Sequence, residues 1–351
     1  MHLQYENVCL EAVAHVLPDE VVTSEQIEVR LAPLYERLRL PEGRLELMSG
    51  IRERRFWPPG VLPGQMSVAT GRRALEMSSV DRREVGALVH GSVCRDYLEP
   101  ATAAGVHHGL DLPAECILYD VSNACLGLLN GMVQVANMIE LGQIRAGLVV
   151  GTESSRGLVE ATIAQLNADE SLTRKNIKPA FASLTIGSGS AAILLAHREL
   201  SRHGRRLLGG VALAATDHCD LCRGGYNESD TAASAPLMDT DSELLMREGV
   251  AAARVAFERF CRHLGWQPSD IDKTFCHQVG HVHRRLLLET LGLSPAIDYT
   301  TLEWLGNTGS VALPMTASLG IENGHVHPGD RIALLGIGSG INVLMLGVEW
   351  R

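Results

Sequence analysis

The sequence predicts an α/β protein made of two duplicated βαβ-rich halves, and three observations carry that expectation. Apolar runs of strand length alternate with amphipathic stretches of helix length, the rhythm of βαβ units. The second half repeats the plan and shares wording with the first: Ile186-Gly187-Ser188-Gly189-Ser190 stands against Ile337-Gly338-Ser339-Gly340-Ile341, and Ala146-Gly147-Leu148-Val149 against Ile332-Ala333-Leu334-Leu335. The chain of 351 residues, 46% hydrophobic and only 4% aromatic, is long enough for one large domain or two fused halves. The halves are expected at 1–200 and 201–351, with active groups where the strand ends of both meet.

Taken in order, residues 1–60 read as a short strand and a polar helix, closed by the breaker Pro58-Pro59-Gly60. A helix is predicted over Ser67–Met77 and a strand over Gly86–Val93. The polar turn Cys94-Arg95-Asp96-Tyr97-Leu98-Glu99-Pro100 follows. Ile117–Val121 reads as a strand, the segment after Cys125 as a helix to about Leu141, and Ala146–Gly151 as a strand. Residues 155–185 break the rhythm as a polar, mixed-charge insertion before the strand Ser190–Ala196. In the second half a helix is expected over Arg247–Leu264 and a strand around Thr274–His277. A further helix should follow Asn307, and the strands Arg331–Leu335 and Ile341–Val348 should end the fold.

The net charge of -10 argues against a nucleic-acid partner or an anionic membrane, since both reward clustered Lys and Arg. No apolar run approaches the roughly 18 residues of a membrane span, and Met1–Glu6 shows no signal-peptide pattern. The eight scattered cysteines lack the density of a secreted disulfide scaffold, so a reduced, cytoplasmic protein is expected.

Chemistry is expected first at Cys125. It stands at a strand-to-helix elbow, where the helix dipole and free backbone amides favour a thiolate over a thiol. An inert packing cysteine is the competing reading. Two polar residues occupy comparable places in the second half. His277 follows the apolar Phe275-Cys276, and Asn307 lies in Gly306-Asn307-Thr308-Gly309 just before a helix of small residues. A cysteine that accepts an acyl group needs a neighbouring base or cation and a donor for the thioester oxyanion, roles that His and Asn can fill. Zinc is an alternative use of Cys276, His277, His281 and His283, or of Cys219 and Cys222. No second Cys pair or His pair stands at finger spacing, so no metal is expected. Gly336-Ile337-Gly338-Ser339-Gly340 is followed by a strand rather than a helix, which argues against a dinucleotide loop.

With these residues in place the chain resembles the thiolase superfamily, in its ketoacyl synthase III-like branch, over essentially its whole length. The carriers are Gly50-Ile51-Arg52-Glu53-Arg54-Arg55, Asn123-Ala124-Cys125, His277-Gln278, Gly306-Asn307-Thr308 and Gly336-Ile337-Gly338-Ser339-Gly340. Within the branch it is most similar to the OleA group, which condenses two fatty acyl-CoA molecules head to head. Ser92-Val93-Cys94-Arg95-Asp96-Tyr97-Leu98-Glu99-Pro100 carries that likeness. The resemblance implies the thiolase fold, a five-layer αβαβα sandwich. It implies that Cys125 is the acylated nucleophile, and that His277 and Asn307 bind the thioester oxygen of the second substrate. The backbone amides of Cys125 and Ser339 would form an oxyanion hole. Glu99 would be a base reaching the partner subunit's site, and so implies a dimer, homodimeric or heterodimeric. CoA thioesters enter as substrates and no separate cofactor is implied.

Glu99 separates the activities within the branch. A malonyl thioester yields its carbanion by losing CO2, whereas a fatty acyl-CoA must lose an α-proton to a positioned base. The expected reaction is therefore a non-decarboxylative Claisen condensation giving a 2-alkyl-3-keto acid and CoA. Decarboxylative 3-oxoacyl-carrier-protein synthesis is the alternative, and a catalytically silent partner subunit lending Glu99 is another. Two departures from the initiating synthases weigh against the malonyl reading: Val279-Gly280 follow His277-Gln278, and Arg44 and Met48 stand where those enzymes grip the CoA adenine.

Overall fold

In a computed structural model that describes residues 1–175, 177–225 and 237–351, ten strands join one continuous mixed sheet, beside two small two-stranded sheets. The ten are β1 (His2–Gln4), β2 (Val8–Val16), β3 (Val85–Gly91), β4 (Ile117–Val121), β5 (Ala146–Glu153), β6 (Gly189–His197), β7 (Arg206–Ala214), β8 (Lys273–Cys276), β9 (Arg331–Gly338) and β10 (Asn342–Glu349). Their order is β8-β9-β10-β7-β2-β6-β5-β3-β4, with β1 on β7. The join between the halves is slight, a single pairing of Cys9 with Arg206. Each half is thus a mixed sheet of its own, with a parallel part (β3 with β4 and β5; β8 with β9) and an antiparallel part.

Seven helices matter for the layering: α1 (Pro63–Met77), α2 (Thr102–Leu110), α3 (Gly127–Glu140), α4 (Arg156–Ala168), α5 (Ser242–Leu264), α6 (His281–Leu291) and α7 (Ala312–Glu322). Helices α3 and α7 lie between the two sheets. Leu128, Leu129, Met132 and Val135 of α3 pack in one cluster with Val89 and Val149 of the first sheet and Leu334 and Leu344 of the second. From Ala312 to Gly320, α7 is buried all round, as a helix between two sheets must be. Helices α1 and α2 cover the outer face of the first sheet, and α5 and α6 that of the second. This is the five-layer αβαβα sandwich that the family resemblance implies.

The duplication is visible in the register. Strands β9 and β10 are joined by a short turn, whereas their counterparts β5 and β6 are separated by residues 154–188. That insertion is less polar than its composition implies. Helix α4 buries Val159, Ile163 and Leu166 against Ile27, Leu31, Leu34 and Tyr35, on two short helices where the sequence shows one polar helix. The opening strand is also longer than expected. Val8–Val16 is buried along nearly its whole length and pairs with β6, so its burial is continuous rather than alternating.

Candidate active site

Cys125, His277 and Ser339 all follow the C-terminal ends of parallel strands: β4, β8 and β9. Each side chain is therefore delivered to the same edge of its sheet, where open α/β sheets place their ligands.

The elbow at Cys125 is tightly built. Ala124 has φ 45°, a left-handed conformation for a residue with a Cβ, and the amides of Leu126 and Gly127 bond back to Asn123 and Ala124. Asn123 is pinned by its Nδ2, which donates to Asn130 Oδ1 at 2.6 Å on the first turn of α3. Close approach of α3 to β3 requires two glycines: a Cβ on Gly91 would lie 2.7 Å from the Gly127 carbonyl. The helix proper starts at Gly127, two residues beyond the sulfur. The backbone amides of Ser339 and of Cys125 itself donate to the thiol sulfur. Burial and then the Glu153 carboxylate outweigh them, and the thiol is pushed up to about 12. The resting state is a protonated thiol, which corrects the thiolate expected from the helix end. The elbow supplies two amides, but desolvation is the larger effect.

His277 is 4% exposed, and neither ring nitrogen has a hydrogen-bond partner. Its amide donates to Leu335 O at 3.0 Å, locking the strand end to β9. Burial and the neighbouring His283 lower its pKa to about 3, so the ring is neutral at physiological pH. A buried, neutral imidazole with both nitrogens free is poised to donate to a ligand oxygen. Gln278, 2% exposed, fastens the same strand end to the next segment. Its Nε2 donates to Tyr299 O, and its Oε1 accepts from the Thr301 amide at 2.9 Å.

Asn307 is buried in a turn fixed on both sides. Its amide donates to Thr185 O, and its carbonyl accepts from Gly187 N at 2.8 Å. Its Oδ1 accepts from Gly309 N at 3.0 Å, which leaves Nδ2 as a donor without a hydrogen bond to the described residues. Behind the turn lies Arg54, wholly buried, donating to Val22 O and Ser24 Oγ, so the Arg52–Arg55 motif is a scaffold here.

Glu99 lies in the loop between β3 and α2. It is exposed at the tip of residues 93–100, with Val93 (55%), Tyr97 (59%) and Leu98 (95%) exposed around it. The base of that loop is firmly held: Cys94 N donates to Ser92 Oγ, Asp96 N donates to Thr102 Oγ1, and Asp96 Oδ1 accepts from Gly64 N at 2.7 Å.

Glu153 escapes the sequence reading, and His283 enters it only as an alternative zinc ligand. Glu153, only 5% exposed, ends β5, and its Oε1 accepts from Val93 N, Ser310 N and Ser310 Oγ. Its signal is the carboxylate closing the apolar run Ala146–Gly151 at the same sheet edge as Cys125 and His277. His283, on the first turn of α6, has a buried Nδ1 without a partner, and burial lowers it to about 4. No three His, Cys, Asp or Glu side chains gather as a metal site among the described residues. Cys276 faces away from His277, into the outer cluster and towards Asp298 and Thr274. Cys219 and Cys222 are both free thiols.

Residues 61–180 match the family model of the thiolase N-terminal domain, and 261–350 that of the C-terminal domain of 3-oxoacyl-[acyl-carrier-protein] synthase III. Fold and matches together define an acyltransferase of the thiolase superfamily. An acyl-CoA:acyl-CoA alkyltransferase of Shewanella oneidensis is 40% identical over 99% of this chain and 100% of its own. One of Xanthomonas campestris is 36% identical over 99% of both. The chain belongs to the acyl-CoA:acyl-CoA alkyltransferase, or OleA, family. Among solved structures, an X. campestris OleA variant with bound lauric acid and lauroyl-CoA superposes with TM-score 0.92 at 35% identity, covering 99% of this chain and all of that one. A 3-oxoacyl-carrier-protein synthase III of Xanthomonas oryzae matches as well, with TM-score 0.92 at 36% identity over the full length of both.

Proposed function

We propose that this protein joins two fatty acyl-CoA molecules by non-decarboxylative Claisen condensation in two half-reactions. In the first, Cys125 Sγ attacks the thioester carbon of one acyl-CoA as its proton leaves. The amides of Cys125 and Ser339 receive the oxyanion, and CoA departs as the thiol. In the second, another acyl-CoA sets its thioester oxygen on His277 and Asn307. Glu99 of a second copy of the chain takes the α-proton, and the α-carbon forms a bond to the acyl carbon as the Cys125 sulfur leaves. Hydrolysis of the remaining thioester gives a 2-alkyl-3-keto acid and the second CoA. CoA thioesters suffice, and no further cofactor enters.

The observation that carries this reading is the neutrality of the oxygen site. His277 and Asn307 each offer a free donor and no charge, which suits an enolate that forms only after proton removal and is bound more tightly than its ketone. Glu99 supplies the base that an unactivated acyl chain requires. Its exposure beside Tyr97 and Leu98, on a loop anchored at its root, supports the role of a surface lent to a second copy. The same patch supports a homodimer. Among the described residues no helix is long and apolar enough to cross a membrane, which fits a cytoplasmic enzyme. The test is Glu99→Gln with myristoyl-CoA. The acyl-enzyme should form, visible by intact mass, with no condensed product; condensation at the unaltered rate would remove Glu99 from the mechanism.

A further inference from the structure

Glu153 is a buried carboxylate that the condensation scheme does not use, and its bonds link two parts of the scheme. Through Oε1 it accepts from Val93 N at 3.1 Å, at the root of the loop that ends in Glu99. The same oxygen accepts from Ser310 N at 3.3 Å and Ser310 Oγ at 2.5 Å, three residues after Asn307. Gly91 O lies 3.0 Å from Ser310 Oγ as a competing acceptor for the same proton, and so keeps the turn against the end of β3. The backbone around Glu153 is held independently: its carbonyl accepts from Trp57 Nε1, and Thr152 O accepts from Ser92 Oγ at 2.8 Å. Gly309 allows the approach, since a Cβ there, at φ 58°, would sit 3.3 Å from the Glu153 carboxyl carbon.

We propose that Glu153 is a positioning residue that holds the Asn307 turn of its own site and the Glu99 loop lent to the second subunit in one arrangement. It rests on the proposed base role of Glu99 for its second half only. A buried carboxylate with three donors on one oxygen is a rigid node, because each bond to a charged acceptor is stronger than a neutral one. Removing it deletes one hold on each of two segments at once, and each carries a group that must meet the enolate within a fraction of an ångström. The effect should therefore fall on condensation rather than on acylation, because neither segment carries the Cys125 and Ser339 amides.

The test uses Glu153→Ala and Glu153→Gln enzymes with myristoyl-CoA, scoring acyl-enzyme by intact mass and condensed product separately. Glu153→Ala should acylate no more slowly than the parent, since losing the carboxylate charge eases ionisation of Cys125, and should condense on the order of 100-fold more slowly, the scale of an ångström-sized misplacement. Glu153→Gln keeps an acceptor oxygen and should recover most of that loss. Equal losses in both half-reactions, or no rescue by Gln, would overturn the proposal in favour of a role in folding alone. If Glu153→Ala does not fold, Ser310→Ala replaces it and should show the same selective loss on a smaller scale. Co-expressed heterodimers with one working nucleophile then separate the two halves. Glu153→Ala placed on the chain with the intact Cys125 probes the Asn307 turn. Placed on the chain carrying Cys125→Ala, it probes the lent Glu99 loop. Slowed condensation in both arrangements supports the proposal, and parent rates in the first overturn it. Full activity of Glu99→Gln would overturn only the base assignment, and the first arrangement would still decide the role of Glu153.

Discussion

Alkylation of Cys125 across a pH range is the perturbation whose size follows most directly from the structure. Burial and the Glu153 carboxylate carry the thiol from its ordinary 9.0 to about 12, against the pull of the Ser339 and Cys125 amides. That rise corresponds to about 4 kcal/mol against forming the thiolate. At pH 7.5 the ionised fraction is then on the order of one in ten thousand or less. The rate of iodoacetamide modification should rise about tenfold per pH unit from 7 to 10, without levelling. Peptide mapping by mass spectrometry must follow Cys125 itself, because the chain has eight free cysteines. Glu153→Gln removes the carboxylate charge and should move the profile to lower pH. A plateau below pH 9 in the parent enzyme would refute this account, showing that the elbow amides outweigh desolvation. The functional corollary is that Cys125 loses its proton as it attacks rather than beforehand.

Other outcomes follow from the same contacts. His277, buried, and His283, half-buried, are neutral, at about 3 and about 4 against 6.5 unfolded. Their contribution is present above pH 6.5 and lost as pH falls towards those values. Urea unfolding at pH 5 should therefore show roughly 2 kcal/mol lost per histidine relative to pH 7, and His277→Asn should flatten the dependence. Gly91→Ala forces a Cβ to within 2.7 Å of the Gly127 backbone. It should cost roughly 1–3 kcal/mol by thermal melting and slow acylation, because the start of α3 carries the elbow. Leu128→Ala, wholly buried between the sheets, should cost about 2–5 kcal/mol in denaturant titration with the elbow otherwise intact. Asn307→Ala should leave acyl-enzyme formation near the parent rate and slow condensation, read by product analysis.

The layering was legible because each buried strand is a near-continuous apolar run, and because the second half repeats the strand-end wording of the first. The strand bounds of β5, β6 and β9 lie within a few residues of expectation. The nine-residue β2 reads short because Glu11 interrupts its apolar run, although that residue is itself buried. Residues 155–185 look polar because half of α4 faces outward, while Val159, Ile163 and Leu166 at helical spacing face inward. At the site, Cys125 and His277 were marked by strand-end position and Ser339 by the family resemblance; Asn307, expected at a strand end, follows the short helix Leu302–Leu305 instead. The protonation state of Cys125 was not legible, since desolvation depends on packing that no local motif encodes. Nor was the hub at Glu153. Its three bonds reach Val93 and Ser310, 60 and 157 residues away, and only the folded sheet edge brings them together.

The central claim is that two unactivated acyl-CoA molecules condense on Cys125, with Glu99 taking the α-proton. Incubation of the enzyme with myristoyl-CoA alone tests it most directly. The account predicts release of CoA and a 2-alkyl-3-keto acid, seen as a long-chain ketone once CO2 is lost. Formation of a condensed product only after a malonyl thioester is added, or of free myristate and CoA with no carbon–carbon bond, would contradict it.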